Sequence, residues 1–323
     1  MCTAISYMTK DHYFGRNLDL EYSHNESVTI TPRNYPLKFR LQPQLKTHYA
    51  LIGMATVENN YPLYYEATNE SGLSMAGLNF PGNAIYRSPI PSMENITPFE
   101  FIPWILSQCV TVAEARKKLA NINIVNISFN SKFPLTPLHW IISDKTESIV
   151  VEPLQTGIKV FDNPVGVLTN NPPFDFHMYN LSNYLNLTHE EPVNRFTNKI
   201  DLQPYSRGMG SIGLPGDLSS ASRFIKAAFT KLNSVADDTE ISSISQFFHI
   251  LGAVAQQRGC VKINDAFEKT VYSSCCNTDK CIYYYTTYEN SQITGVRLFQ
   301  ENLHTNTLMQ YPLVYQQQIR MEN

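Results

Sequence analysis

Met1-Cys2-Thr3-Ala4-Ile5-Ser6, running on to Phe14-Gly15-Arg16-Asn17-Leu18-Asp19, is the stretch on which the reading of this chain turns. Cys2 directly follows Met1, and a residue as small as Cys at position 2 lets methionine aminopeptidase remove the initiator. The expected mature chain therefore begins at Cys2, with a thiol and a free α-amine on one residue. A thiol has an unperturbed pKa near ~8.5 and an α-amine near ~7.7–8.0. At neutral pH the amine is partly unprotonated and can take the thiol proton, directly or through a water. That makes an activated nucleophile with no histidine. Position alone does not decide the matter, because many chains carry a small second residue with no catalytic use.

The residues that follow add weight. Thr3–Met8 reads as a short strand of β-branched and aromatic residues. Thr9-Lys10-Asp11-His12 reads as a turn, and Tyr13–Asp19 returns along the strand. A hairpin of that length predicts Arg16 and Asp19 beside Cys2. A guanidinium favours a thiolate next to it, and a carboxylate can orient an α-amine.

Bulk properties exclude several classes. The 323 residues are 43% hydrophobic and 16% charged, which supports a sizeable core and argues against disorder. A formal net charge of −3 offers no basic face for nucleic acid. An anionic substrate would need local positive charge or apolar contact. The start of the chain predicts no export signal, and no run of about 18 apolar residues predicts membrane insertion. The expected location is the cytoplasm. Cys109, Cys260, Cys275, Cys276 and Cys281 show neither a Cys-x-x-Cys pair nor a zinc pattern, so free thiols are expected. The histidines are scattered without metal spacing, and no Gly-x-Ser-x-Gly elbow occurs. Gly208-Met209-Gly210-Ser211-Ile212-Gly213 has the form G-x-G-x-x-G. It lacks a hydrophobic strand before it, and Leu214-Pro215-Gly216-Asp217 interrupts any helix after it, so it reads as a loop.

Along the chain, strands are expected at Val28–Thr31, Tyr49–Met54 and Tyr61–Leu78, with a hairpin turn at Asn69-Glu70-Ser71-Gly72-Leu73. A helix is expected to open at Thr97, with Glu100 completing a capping box, and a second to span Val112–Leu119. Strands return at Leu138–Ser143, Ser148–Glu152, Ile158–Phe161 and Val165–Thr169. The loop 127–137 is a candidate pocket rim. Residues 171–215 read as loop-rich. Helices are expected from Ser219 and over Ile241–Arg258, then strands at Cys281–Thr287 and Gly295–Leu298. Helices outside a two-sheet core fit this order. Asn79 and Asn170 each end a strand and have two readings: an amide aimed at a developing oxyanion, or a simple strand terminator. Arg223 lies in the first turn of a helix, where a cation opposes the dipole, so another partner is expected.

Together these residues carry a resemblance. Cys2-Thr3-Ala4-Ile5, Phe14-Gly15-Arg16-Asn17-Leu18-Asp19, Asn69-Glu70-Ser71-Gly72-Leu73, Gly77-Leu78-Asn79-Phe80-Pro81, Leu138-His139-Trp140, Val167-Leu168-Thr169-Asn170, Leu214-Pro215-Gly216-Asp217 and Ser222-Arg223-Phe224 resemble the choloylglycine hydrolase family. That family contains conjugated bile salt hydrolases and penicillin V acylases. The resemblance implies an α+β, four-layer αββα N-terminal nucleophile hydrolase fold with two stacked antiparallel sheets, in one domain over residues 2–323. It implies Cys2 as nucleophile and its α-amine as base, with Arg16, Asp19, Asn170 and Arg223 at catalytic positions. Asn79 matches a position that is Asn in the bile salt hydrolases and typically Tyr in the penicillin V acylases. The expected substrate is therefore a glycine- or taurine-conjugated bile salt, and the resemblance further implies a homotetramer with no metal or cofactor. Penicillin V acylase is the near alternative, and a non-catalytic binder on the same fold the distant one. Leu18, Tyr22 and Phe133, with Asn79, are the candidate substrate contacts.

Overall fold

A hairpin opens the chain: β1 (Cys2–Met8) and β2 (His12–Leu20) pair antiparallel, with Cys2 opposite Leu18 and Ala4 opposite Arg16. The computed structural model describes all residues, 1–323. Next come β3 (Ser27–Thr31), β4 (Leu51–Glu58), β5 (Tyr61–Asn69), β6 (Ser74–Asn79) and β7 (Glu94–Ile96), then helices α1 (Phe101–Leu106) and α2 (Val112–Leu119). After these lie β8 (Ile122–Ile124), β9 (Leu138–Ser143), β10 (Ser148–Leu154), β11 (Gly157–Asp162) and β12 (Val167–Leu168). Helices α3 (Phe174–Asn180), α4 (Ser220–Asn233) and α5 (Glu240–Gly252) follow. Five strands close the chain: β13 (Val261–Ile263), β14 (Ala266–Asn277), β15 (Ile282–Thr287), β16 (Thr294–Arg297) and β17 (Met309–Pro312).

Two antiparallel sheets stack. The first has the order β12-β1-β2-β14-β15-β16, with β13 beside β14; the second runs β11-β10-β9-β6-β5-β4-β3-β17. Helices α4 and α5 pack outside the first sheet, and α1 packs on β5 and β6 outside the second. This is the αββα sandwich. Side chains alternate across a strand, so Cys2, Ala4, Arg16 and Leu18 share the face toward the second sheet. Arg16 reaches the β6 carbonyl of Gly77. Asn17, on the opposite face, donates to the Leu251 carbonyl of α5 at 2.9 Å. Gly15 permits the tight approach of β2 to β14, because a Cβ there would strike the Ser274 carbonyl.

The structure differs from the sequence reading in several places. The twelve-residue β14 lies beside β2 in the first sheet, where no strand was expected. Helix α5 ends at Gly252, short of Arg258, because the chain turns to join β14. There the Thr270 N–H donates to the Gln256 carbonyl at 3.0 Å, and the Gln256 N–H to Thr270 Oγ1 at 2.7 Å. Thr97 opens a turn, and regular helix begins only at Phe101. The Glu100 carboxylate accepts from the Thr97 N–H (3.2 Å) and the Arg40 N–H (2.6 Å), so it ties the turn to a distant loop. Helix α3 occupies part of the segment expected to be loop, and the last strand before Asn170 shrinks to Val167–Leu168.

His12 fastens the far end of the hairpin. Its ring contacts Ser6 Oγ and Thr278 Oγ1, each at 2.8 Å. Burial, only partly opposed by Asp279 and Asp144, lowers its pKa to about 4. The unfolded chain restores an ordinary value near ~6.5, so between these values the unfolded state binds more protons and stability rises with pH. His12→Asn should therefore flatten the stability–pH slope between about pH 4 and 6.5 by ~1.4 kcal/mol per pH unit. Urea unfolding of both proteins across that range measures it; an unchanged slope would refute it.

Candidate active site

Cys2 starts β1 and is buried. Its backbone N–H donates to Asn170 Oδ1 at 2.8 Å, and its carbonyl accepts from Arg223 Nη1 at 2.5 Å. The same guanidinium donates to Thr3 Oγ1 (2.6 Å), Asn170 Oδ1 (2.8 Å) and the Leu218 carbonyl (3.0 Å). These acceptors offset the unfavourable place of a cation at the start of α4. Burial lowers the Arg223 pKa, with Asp19, Cys2 and Glu268 opposing it.

Arg16 stands on the other side of Cys2, between the sheets. Nη1 donates to the carbonyls of Gly77 (2.6 Å) and Tyr65 (3.1 Å), and Nε lies 3.8 Å from the buried carboxylate of Glu66. Burial alone would lower its pKa; Cys2, Tyr272, Glu66 and Asp19 reverse that and raise it. Arg16 thus stays cationic although fully buried. Its Nη2 has no hydrogen-bond partner and the residue borders the main cavity, which leaves a charged donor for an incoming group. Glu66 was not foreseen. It is held by Tyr272 Oη (2.7 Å), Ser274 Oγ (3.0 Å) and Tyr283 Oη.

Asp19 lies toward the chain start. One carboxylate oxygen accepts from Thr270 Oγ1 at 2.6 Å, and the other is buried without a partner. Burial raises its pKa against the pull of Arg223 and the terminal amine. The Met1 ammonium donates to the Asp19 backbone carbonyl at 2.7 Å and pairs with Glu268. Two buried carboxylates therefore flank the start of the chain. Glu268 and Thr270 were missed because β14 was missed; the buried charge at position 268 carries no sequence period that would flag it.

Asn170 and Asn79, 91 positions apart, meet: Asn170 Nδ2 donates to the Asn79 carbonyl at 2.7 Å. The Asn170 N–H donates to Ser220 Oγ (2.8 Å), and its carbonyl accepts from His177 Nε2 (2.9 Å). One Nδ2 hydrogen of Asn170 remains available, since an amide nitrogen carries two. Asn79 borders the cavity, and its Oδ1 is buried without a partner.

That cavity, about 580 Å³, is bounded by Cys2, Arg16 and Asn79 and walled mainly by Leu18, Leu20, Leu63, Tyr65, Phe99, Ile102, Phe129 and Phe133. Tyr22, 62% exposed, belongs to its mouth. The 127–137 loop forms one side, where Arg40 Nη2 donates to the Phe129 carbonyl at 2.8 Å and its guanidinium lies over Phe99 and Phe129. Lys132, on the same loop, pairs with Glu58 at 2.7 Å. Asp19, Asn170 and Arg223 do not line the cavity: Asp19 bonds to the Met1 backbone, Asn170 to the Cys2 N–H and the Asn79 carbonyl, and Arg223 to the Cys2 carbonyl, Thr3 Oγ1 and Asn170. Nowhere do three His, Cys, Asp or Glu side chains converge as metal ligands. Gly208–Gly213 contains only a single turn of 3₁₀ helix at Met209–Ser211.

Comparison with known proteins shows the family and the fold. Residues 2–311 match the family described as linear amide C–N hydrolases, choloylglycine hydrolase family. A bile salt hydrolase/transferase of Lactiplantibacillus plantarum is 56% identical over 97% of each chain. A second bile salt hydrolase/transferase, from Clostridium perfringens, is 41% identical over 96% of each. A crystal structure of a variant of the conjugated bile acid hydrolase from Clostridium perfringens superposes over 100% of both chains, with a TM-score of 0.93 and 39% identity. The penicillin V acylase of Agrobacterium tumefaciens shares the fold over 96% of this chain and 90% of its own, with a TM-score of 0.76 at 16% identity. With a match across nearly its whole length and relatives this similar, the chain belongs to the choloylglycine hydrolase family of linear amide C–N hydrolases.

Proposed function

We propose that this chain hydrolyses the amide joining a bile acid to glycine or taurine, through a thioester on Cys2. The observation that carries this reading is the apolar cavity of about 580 Å³ bordered by Cys2, Arg16 and Asn79. A rigid steroid is large and apolar and suits such walls, which offer few polar anchors. The names of the similar proteins above support the same substrate class.

The chemistry needs Met1 removed. The Cys2 nitrogen then becomes an amine, and the 2.8 Å contact with Asn170 Oδ1 fixes one of its hydrogens. Its lone pair takes the thiol proton, and the sulfur attacks the amide carbon. The oxyanion receives the spare Asn170 Nδ2 hydrogen and the Asn79 amide; one such donor supplies ~2.7–4 kcal/mol. Collapse expels glycine or taurine, which takes the proton back from the α-ammonium. Water, deprotonated by the same amine, then cleaves the thioester and releases the bile acid and the thiol. Arg16 faces the charge that develops, and Asp19 keeps negative potential behind the amine.

We further place this chemistry in one domain over residues 2–323. The pairing of β1 with β12, β2 with β14 and β3 with β17 supports that, since it joins both ends of the chain. Unpaired Cys275, Cys276 and Cys281 support a reducing compartment such as the cytoplasm. Exposed Leu185, Phe196 and Tyr205 offer apolar surface for a homotetramer.

Glycocholate, taurocholate and penicillin V separate the readings. The expected result is a larger kcat/KM for a bile salt; a larger value for penicillin V would replace this substrate with that one.

A further inference from the structure

We propose that His139 and Glu152 are positioning residues for the hydrolysis, holding Asn170 and Asn79 where the oxyanion forms. The proposal rests on the amidase reading above. His139 is fully buried on β9 and is directly opposite Leu78, the residue before Asn79. Its ring stacks on Phe80, the residue after Asn79, with centroids 4.1 Å apart and planes 6° from parallel. Its Nε2 donates to the carbonyl of Thr169, the residue before Asn170, at 2.9 Å. One imidazole therefore touches the neighbours of both asparagines.

Proton counting shows what Glu152 adds. The Thr169 carbonyl only accepts, so Nε2 must carry a hydrogen. Nδ1 faces Glu152 Oε1 at 3.0 Å, and that oxygen also accepts from the Phe174 N–H at 3.0 Å. One proton lies between Nδ1 and Oε1. Whichever atom holds it, Nε2–H remains aimed at Thr169. Glu152, itself fully buried, thus fixes the ring orientation, the role a carboxylate plays behind an oriented imidazole. Other fasteners act on the same turn: Thr169 Oγ1 and the Asn170 N–H both bond to Ser220. Asn170 Nδ2 and Asn171 Nδ2 also bond across to the carbonyls of Asn79 and Pro81, each at 2.7 Å, and His139 adds a rigid ring packed between the two segments. Neither His139 nor Glu152 borders the cavity, so substrate binding should not depend on them.

His139→Asn keeps an amide near the Nδ1 side but cannot reach Thr169, whereas His139→Gln places an amide nitrogen near Nε2. The expected result is a kcat about 10²-fold lower for His139→Asn, as for a misplaced reacting group, with KM within about twofold. His139→Gln should recover most of that loss. Glu152→Gln, nearly isosteric, provides a second measurement if His139→Asn does not fold; it should lower kcat while leaving KM and cooperative unfolding intact. Rates are taken well below each melting midpoint, relative to wild type, on whichever of glycocholate and penicillin V wild type cleaves faster. Failure of the bile-salt reading is then seen in wild type alone. Unchanged kcat in the folded variants, or equal losses in Asn and Gln that track melting temperature, would overturn the positioning role.

Discussion

Cys2→Ala leaves a folded protein whose turnover of glycocholate falls by at least about 10⁴-fold, as removal of a catalytic nucleophile does. The fold survives because the sulfur is a small part of the core between the sheets. Losing it costs on the order of 1 kcal/mol, within the margin of a domain this size. The backbone bonds from Cys2 to Asn170 and Arg223 do not involve the side chain and remain. A companion variant tests the amine separately. A bulky residue inserted after Met1 blocks trimming and leaves Cys2 inside the chain. Its thiol is intact, but its nitrogen is an amide with no lone pair to offer. Removing a positioned general base costs ~10²–10⁴-fold, so this variant should also be nearly silent. Circular dichroism and initial rates of amino-acid release check both.

Asn170→Ala should be the next most damaging change, and two substitutions separate its roles. Asn170 accepts from the Cys2 nitrogen and from Arg223, donates to the Asn79 carbonyl, and keeps one hydrogen free. Alanine removes all four. We expect kcat to fall about 10³-fold or more, because an oxyanion donor and the partner of the base are lost together. KM should change little, since Asn170 is not in the cavity wall. The buried Arg223 also loses an acceptor, which costs roughly 1–3 kcal/mol of stability. Asn170→Asp keeps both acceptors and removes the donor. It should recover only the part of the stability that comes from the Arg223 bond, because its second oxygen opposes the Asn79 carbonyl, and it should not recover kcat. Melting temperatures and Michaelis constants for the pair measure this; recovery of kcat with Asp would contradict an oxyanion role for Nδ2.

Part of this site was legible in the sequence. The β1–β2 hairpin was, because its strands are short, β-branched and aromatic and its turn is polar. Arg223 drew notice as a cation at the wrong end of a helix, and the structure supplies its acceptors. Other parts were not legible for physical reasons. Strand β14 was passed over although the Asn264-Asp265 turn precedes it and Thr270-Val271-Tyr272 suits a strand; Glu268 and Lys269 near its start and two cysteines near its end interrupt an apolar alternation. Its buried Glu268 and Thr270 make sense only beside Asp19 and the chain start. Asn79 and Asn170 each kept two readings until their contact, far apart in sequence, was seen. Leu18, Tyr22 and Phe133 do border the cavity, but Leu63, Tyr65, Phe99 and Ile102 went unnamed. Walls made where two sheets and a loop converge depend on how those elements cross, and periodicity within one strand is blind to that.

The most direct test is the intact mass of the enzyme before and after an acid quench during glycocholate turnover, with the adduct located by peptide mapping. We predict a starting mass without Met1 and, after the quench, one added choloyl group on the N-terminal cysteine. A fully active chain that retains Met1, or an acyl group carried elsewhere, would contradict Cys2 as a nucleophile activated by its own amine.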